Sequence, residues 1–226
     1  MIKAVLFDLD NTLVDFVKMK HQASEAAVSA MVDAGLNIHE EKGIRKLFQM
    51  YKKHGFENQK IFNKFIKQEH GFVDYKLLAN AIVAYRKVRA SHVQPYPHTR
   101  QVLLNLRDQG IKIGIVSDAP KLQAWTRLVE LNLQDFFNVV IAVGGTGKEK
   151  PNAIPFRQAC QKLKIPASEI LFVGDNPKRD IQGAQKVGMK TALAKYGQFA
   201  FGKSKADYVI KNINDILNIV KKENKN

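Results

Sequence analysis

Two aspartates separated by one residue, Asp8 and Asp10, follow a short apolar segment near the start of the chain. Carboxylates this close repel each other, so their negative charge has to be neutralised. A divalent cation held by oxygen ligands does this, and magnesium is the usual choice in phosphate chemistry. An Asp-x-Asp pair also occurs in many ordinary loops, so this pair alone does not establish a catalytic site.

A second acidic segment, Gly174–Asp180, follows another apolar run and contains Asp175 and Asp180. Taken alone, it is consistent with an acidic turn that caps a helix beginning near Pro177. Its presence in the same chain as the first aspartate pair strengthens the hypothesis of a site rich in carboxylates.

Two further segments offer groups that bind anions. Ser117 and Asp118 follow a third apolar run, where a hydroxyl and a backbone N–H can both donate to a phosphoryl oxygen, although this pair is uninformative by itself. Lys148 or Lys150 could neutralise a carboxylate and a phosphoryl oxygen together. We favour Lys150 because Pro151 restricts its position, but a surface lysine before a helix with proline in its first turn is the alternative.

The apolar runs before these residues are continuous, which is typical of buried parallel strands. Strands are predicted at 3–7, 112–116, 138–143 and 170–173, and more weakly at 190–194 and 207–210. Helices are predicted at about 97–109, 121–132, 152–164, 178–187 and 213–222. This alternation favours an α/β fold whose parallel strands end at one edge of the sheet, where ligands bind. Asp8, Ser117 and Asp175 are therefore expected at the same edge.

Residues 15–92 interrupt this alternation and contain no convincing strand. Apolar residues recur at helical spacing, and helices are predicted at about 19–34, 39–53, 58–68 and 75–90. We therefore predict an α/β core formed by residues 1–14 and 93–226 and a four-helix domain formed by residues 15–92.

Composition excludes several other classes of protein. No run of about 20 apolar residues is present, so no membrane partner is expected. The single cysteine, Cys160, cannot form an internal disulfide, which together with the lack of a signal-peptide pattern predicts a cytoplasmic protein. The net charge is +15, and this positive excess is spread along the chain. Residues 15–92 hold 14 of the 36 basic residues and 8 of the 21 acidic ones, and the remainder of the chain holds the rest. This spread favours a solvated surface or attraction of small anions, and a nucleic-acid partner is not favoured.

Four segments, in this order, resemble the motifs of the haloacid dehalogenase (HAD) superfamily of phosphohydrolases. They are VLFDLDNTL, IVSDA, KP-x-x-x-P-F and FVGDNPKRDIQGAQKVGMKTA. The likeness covers roughly residues 1–14 and 93–213, and the helical insert is similar to the cap of one large subgroup. The resemblance implies a Rossmann-like, doubly wound parallel sheet with a smaller all-helical cap domain.

The resemblance also implies roles for the acidic residues. Asp8 would be the nucleophile that forms a phosphoaspartate, and Asp10 the general acid and then the base that activates water. Thr12 would help to position Asp10 within the phosphate site. Asp175 would bind Mg²⁺ together with the Asp8 side chain and the Asp10 backbone carbonyl. Asp180 would support the metal, either by orienting a ligand or through a water molecule.

The remaining motif residues would bind the phosphoryl group. Ser117, Asp118 and Lys150 form this predicted phosphate site, with Lys150 also steadying the nucleophile. Two positions depart from the family pattern. Asp118 stands where many relatives have Asn or Thr, and it would repel phosphate unless it points away or pairs with a base such as Lys121. Arg179 stands where Asn or His is frequent.

These features together predict Mg²⁺-dependent hydrolysis of a small phosphorylated metabolite by a monomer or homodimer. A sugar-phosphate mutase of the same superfamily and a non-catalytic binding protein on this scaffold are the alternatives. A 2-haloacid dehalogenase is disfavoured, because that chemistry needs neither magnesium nor an acid such as Asp10. A phosphonate-cleaving enzyme would need a cap lysine. Lys18, Lys20, Lys52 and Lys53 leave that possibility open, but a surface role is favoured for them.

Overall fold

A parallel sheet organises the chain in the computed structural model, which describes residues 1–144, 147–199, 202 and 205–225. Its strands are β1 (Ala4–Phe7), β2 (Lys112–Pro120), β3 (Val139–Val143), β4 (Ile170–Gly174), β5 (Lys190–Ala194) and β6 (Tyr208–Ile210). They pair in the order β3-β2-β1-β4-β5-β6, and every pair is parallel. The predicted α/β class with a doubly wound parallel sheet is confirmed.

The two central strands are apolar and buried along their whole length. In β1, Leu6 lies opposite Gly114 of β2 and Phe172 of β4. A Cβ on Gly114 would lie 2.5 Å from Cγ1 of Val139, so only glycine permits this close approach of β2 and β3. Burial on both faces explains why these strands are apolar runs and leaves the polar residues beyond their carboxyl ends.

Helices cover the sheet in the positions that the alternation predicts. They are α5 (Thr99–Asp108), α6 (Lys121–Glu130), α7 (Ala153–Leu163), α8 (Gln182–Gln185) and α9 (Asp215–Lys225). In the core under α7, the rings of Phe156 and Phe172 meet edge to face at a centroid distance of 5.0 Å. The side chain of Asn152 begins α7 by accepting a hydrogen bond from the backbone N–H of Ile154 at 2.9 Å.

The segment between β1 and β2 is helical, as predicted. It contains α1 (Phe16–Asp33), α2 (Glu40–His54), α3 (Ile61–His70) and α4 (Tyr75–His92). The chain divides into two compact units, one formed by Met1–Phe16 and Gln94–Asn226 and the other by Val17–Val93. The helical unit has an apolar core of its own, around Leu47, Tyr51 and Phe65.

Polar contacts also stabilise this helical unit. Lys46 of α2 and Glu69 of α3 form an ion pair at 2.7 Å, and Asp74 begins α4 by accepting hydrogen bonds from two backbone N–H groups. Within the described part of the chain, no helix combines the length and apolarity that a bilayer-spanning segment requires.

Several elements differ from their predicted bounds by up to three residues, and strand β2 and the helix predicted over 178–187 differ by more. Strand β2 continues to Pro120 instead of ending at residue 116, because its register with β3 shifts between Ser117 and Pro120 and pairing resumes. The helix predicted over 178–187 is a π-helical turn, Pro177–Ile181, followed by the short α8. The last helix, predicted over 213–222, continues to Lys225.

Candidate active site

The first acidic loop is a tight turn at the end of β1. The backbone N–H of Asp8 donates to the carbonyl of Val173 at 2.8 Å, which places this buried aspartate at the carboxyl ends of β1 and β4. Asn11 has a φ of 58°, in the left-handed region that asparagine tolerates better than most residues. Its N–H donates to the carbonyl of Val14 at 2.6 Å and closes the turn.

Two tyrosines and a glycine that the sequence analysis did not select support this loop. The hydroxyl of Tyr196 donates to the carbonyl of Thr12 at 2.8 Å. The ring of Tyr96 packs edge to face against the ring of Tyr196, with the two centroids 4.9 Å apart. Gly197 is so close that an added Cβ would lie 1.6 Å from the carbonyl oxygen of Asn11. The only sequence signal was a Tyr-Gly pair shortly after the weakly predicted fifth strand.

We therefore expect Gly197→Ala to displace the Asp8 loop. An atom cannot lie 1.6 Å from a backbone oxygen, so one of the two segments has to move. Because an ångström of misplacement in a site can cost about 10²-fold in rate, we expect a loss of that order in the predicted phosphate hydrolysis. Gly202→Ala is the control, since its Cβ would meet Pro177 at an ordinary 3.6 Å. Equal kcat/KM for the two variants would contradict this account of the loop.

Lys150 connects the nucleophile candidate with the second acidic segment. Its Nζ donates to Oδ1 of Asp8 at 2.7 Å and lies 2.7 Å from Oδ1 of Asp180. Burial alone would lower the pKa of this lysine, but the carboxylates of Asp180 and Asp8 raise it above its ordinary value. Lys150 is therefore a permanent cation inside the cluster. Lys148, the other lysine that we considered, is exposed.

Three buried carboxylates, Asp8, Asp175 and Asp180, come together beside this lysine. Each offers an oxygen that lies within 4.8 Å of the others. Burial raises the pKa of Asp175 to about 8, and the neighbouring charges of Asp8 and Asp180 add to the shift. Burial also raises the pKa of Asp180 to about 6, against the lowering effect of Lys150. One ammonium does not balance three carboxylates, so the cluster has the charge and the oxygen atoms for a bound cation.

A π-helical turn puts Asp180 into this cluster. The N–H groups of Asp180 and Ile181 both donate to the carbonyl of Asn176, at 3.0 and 3.3 Å, which widens the turn. Oδ2 of Asp180 accepts in return from the N–H of Asn176 at 2.9 Å. The Asp180 side chain crosses Gly174 so closely that an added Cβ there would lie 2.5 Å from it.

The predicted phosphate-binding residues Ser117 and Asp118 lie in the second half of β2, the strand that pairs with β1. Ser117 is buried, and its Oγ accepts from the N–H of Ala119 at 3.1 Å. Oδ1 of Asp118 accepts from the backbone N–H of Lys150 at 2.9 Å, and its Oδ2 lies 3.3 Å from Nη1 of Arg179. Asp118 thus pairs with a base, which was one of the two alternatives, but that base is Arg179, so the two departures from the family pattern pair with each other.

The hydroxyl of Thr12 does not hold Asp10 in the way that the motif suggests. The Thr12 hydroxyl is buried and has no hydrogen-bond partner within the described part of the chain, so it does not bond to Asp10 there. Oδ2 of Asp10 instead accepts a hydrogen bond from Nη1 of Arg127 at 3.1 Å. The sequence analysis did not select Arg127, and its position within α6 carries no motif that would have revealed it.

The model of the haloacid dehalogenase-like hydrolase family matches residues 5–194, so the chain belongs to this family. Glyceraldehyde 3-phosphate phosphatase of Methanocaldococcus jannaschii is 33% identical over 223 residues, 98% of each chain. The protein of the same name from Methanopyrus kandleri is 34% identical over 201 residues, 88% of this chain and 86% of that one. The chain is a phosphatase of the haloacid dehalogenase family.

Solved structures share this fold. A HAD phosphatase from Thermococcus onnurineus has a TM-score of 0.72 at 25% identity, with 97% of this chain and 98% of that chain covered. The HAD-hydrolase YfnB from Bacillus subtilis, whose structure is described as bound to magnesium, has a TM-score of 0.68 at 21% identity, covering 97% and 99%. The second likeness supports the fold alone.

Proposed function

We propose that this phosphatase hydrolyses a small phosphorylated metabolite in a Mg²⁺-dependent reaction through a phosphoaspartate on Asp8. The observation that carries the proposal is the double contact of Lys150 with Asp8 and Asp180, inside a buried group of three carboxylates. A buried aspartate held beside a fixed cation can attack an anionic phosphoryl group that it would otherwise repel.

The residues fit a magnesium ion. Oxygen ligands are the ones that magnesium prefers, and Oδ1 of Asp175 is buried with no hydrogen-bond partner within the described residues. Asp8, Asp175 and the backbone carbonyl of Asp10 would hold the ion, with Asp180 as the supporting carboxylate. When bound, the ion would neutralise part of the phosphoryl charge and polarise the phosphorus–oxygen bonds.

The chain's own residues then account for two steps. An Asp8 oxygen forms a bond to phosphorus as the bond to the leaving oxygen breaks, and Asp10 gives that oxygen a proton. Asp10 next takes a proton from water, whose oxygen attacks the phosphoaspartate and releases phosphate from Asp8. Ser117 and Lys150 hold the phosphoryl oxygens throughout, in a site that Thr12 helps to build. Asp118 acts indirectly, by holding the Lys150 backbone and Arg179.

The substrate that we propose first is glyceraldehyde 3-phosphate. The two relatives named glyceraldehyde 3-phosphate phosphatase are about one third identical to this chain and cover most of its length. The net charge of +15 favours encounter with such small anions. We propose residues 1–14 and 93–226 as the catalytic domain and residues 15–92 as the cap domain that supplies specificity.

Phosphate release from a panel of phosphorylated metabolites tests this function. We expect Mg²⁺-dependent release with the highest kcat/KM on a short-chain sugar phosphate. Isomerised product from a sugar phosphate in the presence of its bisphosphate would favour a mutase instead. No release from any compound, combined with salt-sensitive RNA retention, would favour a binding protein and overturn the proposal.

Magnesium is expected to raise the melting temperature (Tm) of the protein. At 100 times its dissociation constant, a ligand stabilises the folded state by about 2.7 kcal/mol, roughly 5–10 °C for a chain of this size. Asp175→Asn should raise Tm without metal, because it removes a buried carboxyl group whose pKa is raised by burial and by the charges of Asp8 and Asp180, and it should abolish the response to Mg²⁺. Asp33→Asn, at an exposed position, is the control. An Asp175→Asn protein that responds like wild type would place the ion elsewhere.

A further inference from the structure

Arg127 is a buried arginine that the proposed reaction has so far not used. It lies in α6, and only 3% of the residue is exposed. Taking a guanidinium out of water is costly unless its partners compensate, so the contacts that it keeps are informative. Its Nη1 donates to Oδ2 of Asp10 at 3.1 Å, across 117 positions of the sequence.

A ring fixes the plane of this guanidinium. Cζ of Arg127 lies 4.4 Å from the centroid of the Phe16 ring, where cation–π attraction holds a flat guanidinium against an aromatic face. Phe16 begins α1 directly after the loop that carries Asp10. The arginine is therefore restrained by the ring and directed at the carboxyl group.

The two partners differ in their access to solvent. The Arg127 side chain is 4% exposed, whereas the Asp10 side chain is 22% exposed. The arginine thus holds Oδ2 of the carboxyl group from the buried side, and the Asp10 side chain is the more exposed of the two partners, although its Oδ1 is itself buried. A general acid has to reach the leaving oxygen, so the more exposed partner is the one that can exchange the proton.

We propose that Arg127 is a positioning residue for the reaction, holding Asp10 in the orientation in which it protonates the leaving oxygen. This inference rests on the proposed function, in which Asp10 is the general acid. When the phosphorus–oxygen bond breaks, the proton of Asp10 moves to the leaving oxygen and a carboxylate remains. The guanidinium at 3.1 Å stabilises that carboxylate, which is the form that then accepts a proton from water. The hydroxyl of Thr12, the residue expected to position Asp10, is buried and has no hydrogen-bond partner within the described residues.

The leaving group of the substrate distinguishes positioning from a structural effect. An alkyl phosphate such as glycerol 3-phosphate must lose an alkoxide and therefore needs the proton of Asp10. p-Nitrophenolate is a stable anion and leaves p-nitrophenyl phosphate without protonation. The ratio of kcat/KM for the two substrates thus reports the acid alone, since kcat/KM covers the steps up to departure of the leaving group.

Arg127→Met removes the guanidinium group while keeping an apolar side chain against Phe16. We expect kcat/KM to fall on the order of 10²-fold for glycerol 3-phosphate, but only about threefold or less for p-nitrophenyl phosphate. Arg127→Lys keeps the positive charge without the planar guanidinium, and its kcat/KM for glycerol 3-phosphate should lie between the values for wild type and Arg127→Met. It also provides the test if Arg127→Met does not fold. Arg107→Met is the matched control, because Arg107 also lies over a ring, that of Phe136, and is exposed.

Asp10→Asn, assayed with the same two substrates, separates the two hypotheses. If Asp10→Asn is selective for p-nitrophenyl phosphate and the Arg127 variants lose both activities equally, Arg127 is structural and the present inference is overturned. If Asp10→Asn shows no selectivity, Asp10 is not the general acid, and the proposed function and this inference both fail at that step. Selectivity in Asp10→Asn and Arg127→Met, with none in Arg107→Met, supports the inference.

Discussion

Asp8→Asn is expected to lower phosphatase activity by on the order of 10⁴-fold or more, the scale on which loss of an enzymic nucleophile acts. The amide of asparagine is a poor nucleophile and cannot form the acyl phosphate. It also weakens the contact with Lys150, whose Nζ donates to Oδ1 of Asp8 at 2.7 Å. The measurement is phosphate release at saturating Mg²⁺, together with a search for covalently bound phosphate after an acid quench.

The fold should survive this substitution. Asparagine is nearly isosteric with aspartate, and Lys150 keeps its second partner, Asp180, at 2.7 Å. Circular dichroism and the melting temperature should therefore stay close to wild type. Asp108→Asn is a control of the same chemistry at an exposed position at the end of α5, and it should retain wild-type activity. Turnover by Asp8→Asn within tenfold of that control would show that Asp8 is not the nucleophile.

Lys150→Met is expected to remove both activity and a large part of the stability. Without the ammonium, the buried carboxylates of Asp8 and Asp180 lose the one cation that lies within 2.7 Å of both of them among the described residues. Removing one partner of a buried ion pair costs about 3–5 kcal/mol, which corresponds to a fall in Tm of roughly 6–20 °C for a chain of this length. We expect kcat/KM to fall on the order of 10³-fold, because the phosphoryl group loses a fixed cation.

Lys148→Met is the matched control for Lys150→Met. It removes the same charge two residues away, from an exposed side chain, and should change neither Tm nor kcat/KM appreciably. High Mg²⁺ should restore part of the Tm of Lys150→Met, because the ion supplies positive charge to the same carboxylates, without restoring turnover. If the two methionine variants behave alike, Lys150 has neither of the roles that we assign to it.

Much of the fold could be predicted from the chain itself. Strands such as β1 and β4 must be buried on both faces, so they are uninterrupted apolar runs that a sequence displays directly. Parallel strands also present their carboxyl ends at one edge. The polar residues that follow each run, Asp8 and Asp175 among them, were therefore predicted to be neighbours. The helices of the insert followed from the spacing of their apolar residues.

The contacts that orient the site could not be predicted in this way. Arg127 reaches Asp10 across 117 positions, and Tyr196 reaches Thr12 across 184. Neither pair has a spacing that a local pattern records, because the packing of whole elements brings them together. The π-helical turn that places Asp180 likewise depends on hydrogen bonds to Asn176 and on the space left by Gly174.

Residue types and their order along the chain were enough to determine the α/β class, the helical insert and the acidic residues at the strand ends. Hydrophobic burial leaves apolar runs and helical spacing that are visible in the local sequence. The parallel direction of the strands then puts the residues that follow them at one edge of the sheet. Tertiary packing alone decided that Lys150 is buried while Lys148 is exposed, and that Asp118 pairs with Arg179. Burial and pairing depend on which distant atoms exclude water and neutralise charge, and only the folded chain brings those atoms together.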